Sequence, residues 1–113
     1  MAELVLNQEK DILVASIKGE VTLLYSNDLK EKIKEELKNS QANKLVLDLS
    51  QVPMLDSSGL GMLISLFKYM NQGQGQIVYA GMTEYVKKII GFAKLDKIFT
   101  IADDVDKALV QIV

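Results

Sequence analysis

The chain contains no cysteine and no histidine, and these two absences remove much chemistry at once. Disulfides, thiolate nucleophiles, Cys/His zinc sites and every Ser-His or Cys-His catalytic arrangement are excluded by residue type alone. Only a carboxylate, lysine, tyrosine or hydroxyl mechanism would remain, and no cofactor or metal is expected. An excess of one charge is also missing. The 13 basic and 15 acidic residues leave a net charge of −2, and the lysines mostly interleave with acids, so nucleic acid is a poor candidate partner. The most apolar run, Leu60 to Phe67, falls far short of the ~20 residues that span a bilayer. Met1 to Leu13 carries no basic segment ahead of an apolar stretch, so no export signal is expected. A cytoplasmic location with no membrane association is the expectation.

What is present is the material of one domain. The 113 residues are 49% hydrophobic and 25% charged, and a single domain over 1–113 is expected, able to bury roughly 60 to 70% of its unfolded surface without staples. Leu4 to Leu6 and Ile12 to Ile17 are short branched-rich runs separated by the polar stretch Asn7 to Asp11, which predicts a β-hairpin. Gly19 closes the second strand. Tyr25, Leu29, Ile33 and Leu37 then recur every four residues, the spacing of one helical face, with Ser26 or Asn27 as N-cap. The opposite face would pair Asp28 with Lys32, Glu31 with Lys34 and Glu35 with Lys38, a solvated surface. Asn39 to Asn43 supplies the stop.

Lys44 to Ser50 is nearly continuous apolar sequence of strand length, suited to a central strand covered on both faces. Pro53 delays the next helix, which is predicted to start at Asp56-Ser57-Ser58 and run to about Met70. Asn71 to Gln76 reads as a loop and Ile77 to Ala80 as a strand. A third helix begins near Thr83 with Val86, Ile89, Ile90 and Ala93 inward. A short strand around Thr100 and Ile101 precedes a last helix capped by Asp103 or Asp104, whose face is Val105, Ala108, Leu109 and Ile112. The order ββαβαβαβα implies an α/β domain with a mixed sheet and helical cover.

The segment Asp56 to Gly61, DSSGLG, lies where a core strand hands over to a helix, the edge at which ligands and partners meet open α/β sheets. One reading is a plain N-cap, worth about 0.5 to 2 kcal/mol. Gly59 and Gly61 speak for more, because each costs about 1 kcal/mol relative to alanine inside a helix and leaves the backbone bare to an approaching surface. The helix itself is apolar nearly all round, with Leu60, Leu63, Ile64 and Phe67 on one face and only Lys68 charged. Ser58, Met62, Ser65 and Tyr69 share a stripe. Either this stripe is part of a docking surface beginning at Ser58, or Met62 and Tyr69 pack under a neighbouring helix.

Other motifs carry less. Gly73-Gln74-Gly75 lacks the lysine and hydroxyl of a P-loop. Asp48 has no acidic pair after the first strand to make it an aspartyl phosphoacceptor, and a core-strand carboxylate at the sheet end is the simpler reading. No G-x-S-x-G elbow is present, and no histidine could activate Ser57 or Ser58 for hydrolysis. A binding domain is expected, not an enzyme.

The turn Gly19-Glu20-Val21, the strand KLVLDLS, the run MLDSSGLGMLISLFKYM, the strand IVYAG and the tail KLDKIFTIADDVDKAL together resemble a bacterial anti-sigma-factor antagonist of the STAS-domain family, over essentially the whole chain. The resemblance implies a partner-switching module. Its unphosphorylated form would bind an anti-sigma factor that is also a serine kinase, freeing the sigma factor. Phosphorylation of the motif serine would reverse this, and a serine phosphatase would reset it. Carried over by position, Ser58 is the implied phosphoacceptor, with Asp56 and Ser57 its immediate neighbours and Gly59 and Gly61 part of the contact surface; Met62 and Ser65 join the expected partner-binding surface from the stripe. Helix-start geometry alone leaves Ser57 and Ser58 open, since a one-residue shift exchanges which hydroxyl caps and which is presented. Thr22 departs from the family, whose members often have aspartate after the Gly-Glu-aliphatic turn. A STAS-type scaffold or lipid-transport subunit without a phosphoserine switch is the alternative.

Overall fold

Alternating side chains along the central strands divide two cores. The computed structural model describes residues 2–112, and in it β1 (Glu3–Glu9) and β2 (Ile12–Lys18) form the expected antiparallel hairpin. β3 (Lys44–Gln51), β4 (Gln76–Ala80) and β5 (Ile101–Ala102) add to β2 in parallel, giving one sheet of order β1-β2-β3-β4-β5. The helices are α1 (Ser26–Ser40), α2 (Ser57–Gln72), α3 (Glu84–Phe92) and α4 (Val105–Ile112), with a 3-10 turn at Leu95–Lys97. The element order is the one read from the sequence.

Leu13, Ala15 and Ile17 of β2, Leu45, Leu47 and Leu49 of β3, and Ile77 and Tyr79 of β4 share the larger core with α1, α2 and α3. Ile12, Val14, Val46, Val78 and Ala80 face the other way, onto Ala108 and Ile112 of α4. A period of two on strands buried on both faces accounts for the near-continuous apolar run of β3. Each fully buried leucine contributes roughly 1.5 to 3 kcal/mol. Tyr79 is the largest fully buried side chain. Its ring stacks on Phe99 with centroids 4.3 Å apart, and its hydroxyl donates to the Leu63 carbonyl at 2.7 Å. Burial pushes its ionisation well above the usual phenol range. This bond pins the middle of α2 to the sheet.

Several local expectations need correction. Tyr25, not Ser26 or Asn27, is the N-cap of α1, and it makes no side-chain cap bond. The helix starts early because the Tyr25 and Ser26 amides both donate to the Thr22 carbonyl, at 3.0 and 2.9 Å. That turn feeds straight into the helix, and Ser26 is buried. Of the three ion pairs expected on α1, Asp28–Lys32 forms at 3.1 Å. Lys34 instead reaches across to α2, donating to Ser65 Oγ at 3.4 Å and standing 5.2 Å from the Tyr69 ring centroid. At the far end of the domain Ala93 is exposed and caps α3 instead of facing inward. Asp104 caps α4, accepting from the Lys107 amide at 2.8 Å.

Candidate functional site

Parallel pairing brings the C-terminal ends of β2 and β3 to one edge of the sheet, and the two exits run on side by side. The Gly19 amide donates to the Gln51 carbonyl at 2.9 Å, Val21 to Met54 at 3.2 Å, and Asp56 back to Val21 at 3.2 Å. A parallel bridge joins Val21 to Leu55. Gly19 turns the chain into this track with φ 111, a conformation open to glycine and strained for other residues. The β2–α1 corner, Thr22 to Tyr25, is thereby held against the start of α2.

Asp56 joins the two segments. One carboxylate oxygen accepts from the Gly59 amide at 3.0 Å, closing the N-cap of α2, and the other accepts from the Leu23 amide at 3.0 Å. The Gly59 bond first, and the Leu23 bond with it, lower the Asp56 pKa below the ordinary carboxylate range. An anion with both oxygens engaged as acceptors is a poor general base for either neighbouring serine. It is a positioning group that sets the first turn of α2.

With Asp56 as cap, Ser57 is the first helical residue and Ser58 the second. Ser57 is exposed and Ser58 half-buried. Ser58 lines a hollow of about 250 Å³ with Ser26, Asn27 and Lys30 of α1 and Gly61 and Met62 of α2. Gly61 lies open, with nothing within 4 Å of the place a Cβ would take.

The stripe running down from Ser58 faces α1 and is not a free docking face. Met62 is 3% exposed within the main core, so its side chain is not available to a partner. Ser65 is half-buried under Lys34. Gly59 is buried as well: a Cβ there would stand 2.5 Å from the Val21 carbonyl oxygen and 2.8 Å from Leu55 Cβ. Its lack of a side chain serves the close approach of α2 to the Val21–Leu55 bridge, not the approach of another molecule. The core face of α2 is centred on Met62, Leu63, Leu66 and Met70, while Leu60, Ile64 and Phe67 are only half-buried. Periodicity had centred it one step round the helix, because Met62 and Met70 score as apolar on either side.

Two features escaped the sequence reading. Leu23 and Leu24, 75% and 80% exposed, stand in the corner beside Asp56. Their signal is that both are large and apolar yet fall outside the four-residue repeat of Tyr25, Leu29, Ile33 and Leu37. The other is Lys30, which helical spacing alone puts among solvated charges and which the fold places in the same hollow as Ser58. Among the described residues no group of three acidic side chains is placed to hold a metal, and no helix is long and apolar enough to cross a membrane.

The family model of the STAS domain matches residues 3–108. The chain belongs to the STAS-domain family. This STAS domain is 25% identical over 107 residues to the anti-sigma F factor antagonist of Paenibacillus polymyxa, covering 95% of this chain and 92% of that one. Its fold matches the crystal structure of an anti-sigma factor antagonist from Mycobacterium paratuberculosis with a TM-score of 0.85, at 25% identity and over 99% and 94% of the two chains. The Bacillus cell fate determinant SpoIIAA, solved in its phosphorylated form, matches with a TM-score of 0.78 at 14% identity, over 98% of this chain and all of that one. The Paenibacillus and Mycobacterium proteins are both named as anti-sigma factor antagonists.

Proposed function

We propose that the chain is an anti-sigma-factor antagonist that works by partner switching in the cytoplasm. Unphosphorylated, it binds an anti-sigma factor with serine kinase activity and so frees the sigma factor. Phosphorylation at Ser58 ends the binding, and a serine phosphatase restores it. ATP and magnesium belong to the kinase: its γ-phosphoryl group passes to Ser58 Oγ, ADP leaves, and the hydroxyl proton goes to a base on the kinase. The chain itself is ligand and substrate.

The observation that carries this reading is the setting of Ser58, half-buried at the second position of α2, in one hollow with open Gly61 and two residues from the Asp56 cap that holds the exposed Leu23–Leu24 corner. A partner laid over Gly61 would close on the hollow that Ser58 lines. Phosphate there adds about −1.5 to −2 charges and three acceptor oxygens where the unmodified chain presents a small neutral hydroxyl, and a partner fitted closely to that hydroxyl cannot accommodate them. The fold tolerates it, because a helix N-terminus favours an anion by about 0.3 to 1 kcal/mol when exposed.

The test is a pull-down from native lysate with the wild-type chain and with Ser58→Asp, retained proteins being identified by mass spectrometry. An anti-sigma factor of the kinase type should be held by wild type and lost by Ser58→Asp, while circular dichroism of the two chains stays the same. Equal recovery from both would rule out Ser58 as the control point. Recovery of scaffold or transporter subunits would point to the unswitched alternative.

A further inference from the structure

The hollow beside Ser58 contains one charged side chain among the residues that line it, Lys30 of α1. Its side chain is 25% exposed, and its ammonium lies 3.9 Å from Glu31, whose carboxylate is 62% exposed. That is a long pair with a largely solvated partner, of little energetic value. Neighbouring lysines are otherwise engaged: Lys32 with Asp28 at 3.1 Å, and Lys34 with Ser65 and the Tyr69 ring. Lys30 is thus a partly desolvated cation whose one ion pair among the described residues is long and solvated, and it lines the same hollow as Ser58.

We propose that Lys30 receives the phosphate of phosphorylated Ser58 within the chain, so that modification ties α1 to α2 and holds the dianion across the groove between them. The inference rests on the reading of Ser58 as phosphoacceptor and adds what becomes of the phosphate. Ammonium–phosphate bonds are charge-assisted and about twice as strong as neutral ones. The surrounding charges leave the pair unopposed. From the start of α2, the Asp56 carboxylate is taken up by the Gly59 and Leu23 amides. From α1, Asp28 is paired with Lys32 and Glu31 lies out in solvent. Ser57 is exposed and does not line the hollow, so a phosphate on it would stay in water. The cation therefore adds a second distinction between the two serines to the one set by the Asp56 cap.

The experiment installs phosphoserine in place of Ser58 by semisynthesis, with and without Lys30→Gln, and in place of Ser57 as comparison. Phosphorus NMR then follows each phosphate through its second ionisation, and thermal melts follow stability. With Lys30 present, the phosphate at 58 should titrate about half a unit lower than an exposed phosphoserine, whose second pKa is about 6. Lys30→Gln should move it back up. The phosphate at 58 should raise the melting temperature only when Lys30 is present, and the phosphate at 57 should show neither effect. Unmodified Lys30→Gln, melting like wild type, shows that the variant folds. Identical titration of the phosphate at 58 with and without Lys30 would overturn the proposal, as would an equal Lys30 dependence at 57. No kinase or binding partner enters these measurements, so a failure of partner switching and a failure of this contact are read separately.

Discussion

The first turn of α2 has two sides that use the same residue type for opposite ends. On one side Gly59 is buried against the Val21 carbonyl and Leu55, where no Cβ fits. On the other, two residues along, Gly61 faces open space. One glycine exists for the inside of the molecule and the other leaves a bare patch outside it. In sequence the two look alike, as a pair of helix-weakening residues after two serines. What separates them is tertiary: the exits of β2 and β3 run side by side and bring Val21 under α2. A glycine-rich helix start is thus not one signal but two, and only the open half bears on recognition.

Alanine at each position breaks the comparison cleanly, with the larger effect expected inside. Gly59→Ala places a methyl group against a backbone oxygen that cannot swing aside, and overpacking of this kind costs about 1 to 3 kcal/mol. Chemical denaturation should show a lowered midpoint with little change in slope. Unchanged stability would mean that α2 is free to move off the Val21–Leu55 bridge. Gly61→Ala should have the opposite sign. A methyl group in open space on a helix gains about 0.8 to 1 kcal/mol of helix propensity, so the midpoint should rise, while binding to the anti-sigma factor should weaken because the bare patch is gone. Higher stability with full binding, measured by calorimetry, would remove Gly61 from the recognised surface.

The fold was largely legible because its signals are local. The hairpin, the continuous apolar β3, the DSS start of α2 and the four-residue repeat of α1 each follow from propensity, period and capping. Asp48 too sits as expected, a carboxylate near the end of β3 that accepts from Ser16 Oγ at 3.2 Å and from the Ser50 amide at 3.0 Å. The site was legible in place but not in orientation. Helical spacing groups Ser58 with Met62, Ser65 and Tyr69, and only the packing of α1 decides that this stripe looks inward. An α2 that is apolar all round offers no polar face to fix its rotation. The roles of Lys30 and Lys34 were hidden for the same reason, since i, i+4 pairing treats every lysine on α1 as a surface charge until a second helix lies beside it.

Asp56 sharpens the comparison from the strand side, because its one carboxylate ties the closed half of the turn, through Gly59, to the exposed β2–α1 corner, through Leu23. Both bonds favour the ionised form and hold its pKa below the ordinary carboxylate range. A carboxyl group with a folded-state pKa below its unfolded one contributes stability that is complete above the unfolded value and is lost as pH falls through the folded one. Asparagine caps helices about as well as aspartate but carries no charge. The gap in melting temperature between wild type and Asp56→Asn should therefore be constant at neutral pH and close as pH drops below about 4. Binding adds a second readout, since loosening the Leu23 amide frees the Leu23–Leu24 corner from α2, and Asp56→Asn should weaken the partner less than Gly61→Ala does. A gap that persists unchanged into acid would show that the two amides need an acceptor at this corner but not an anion.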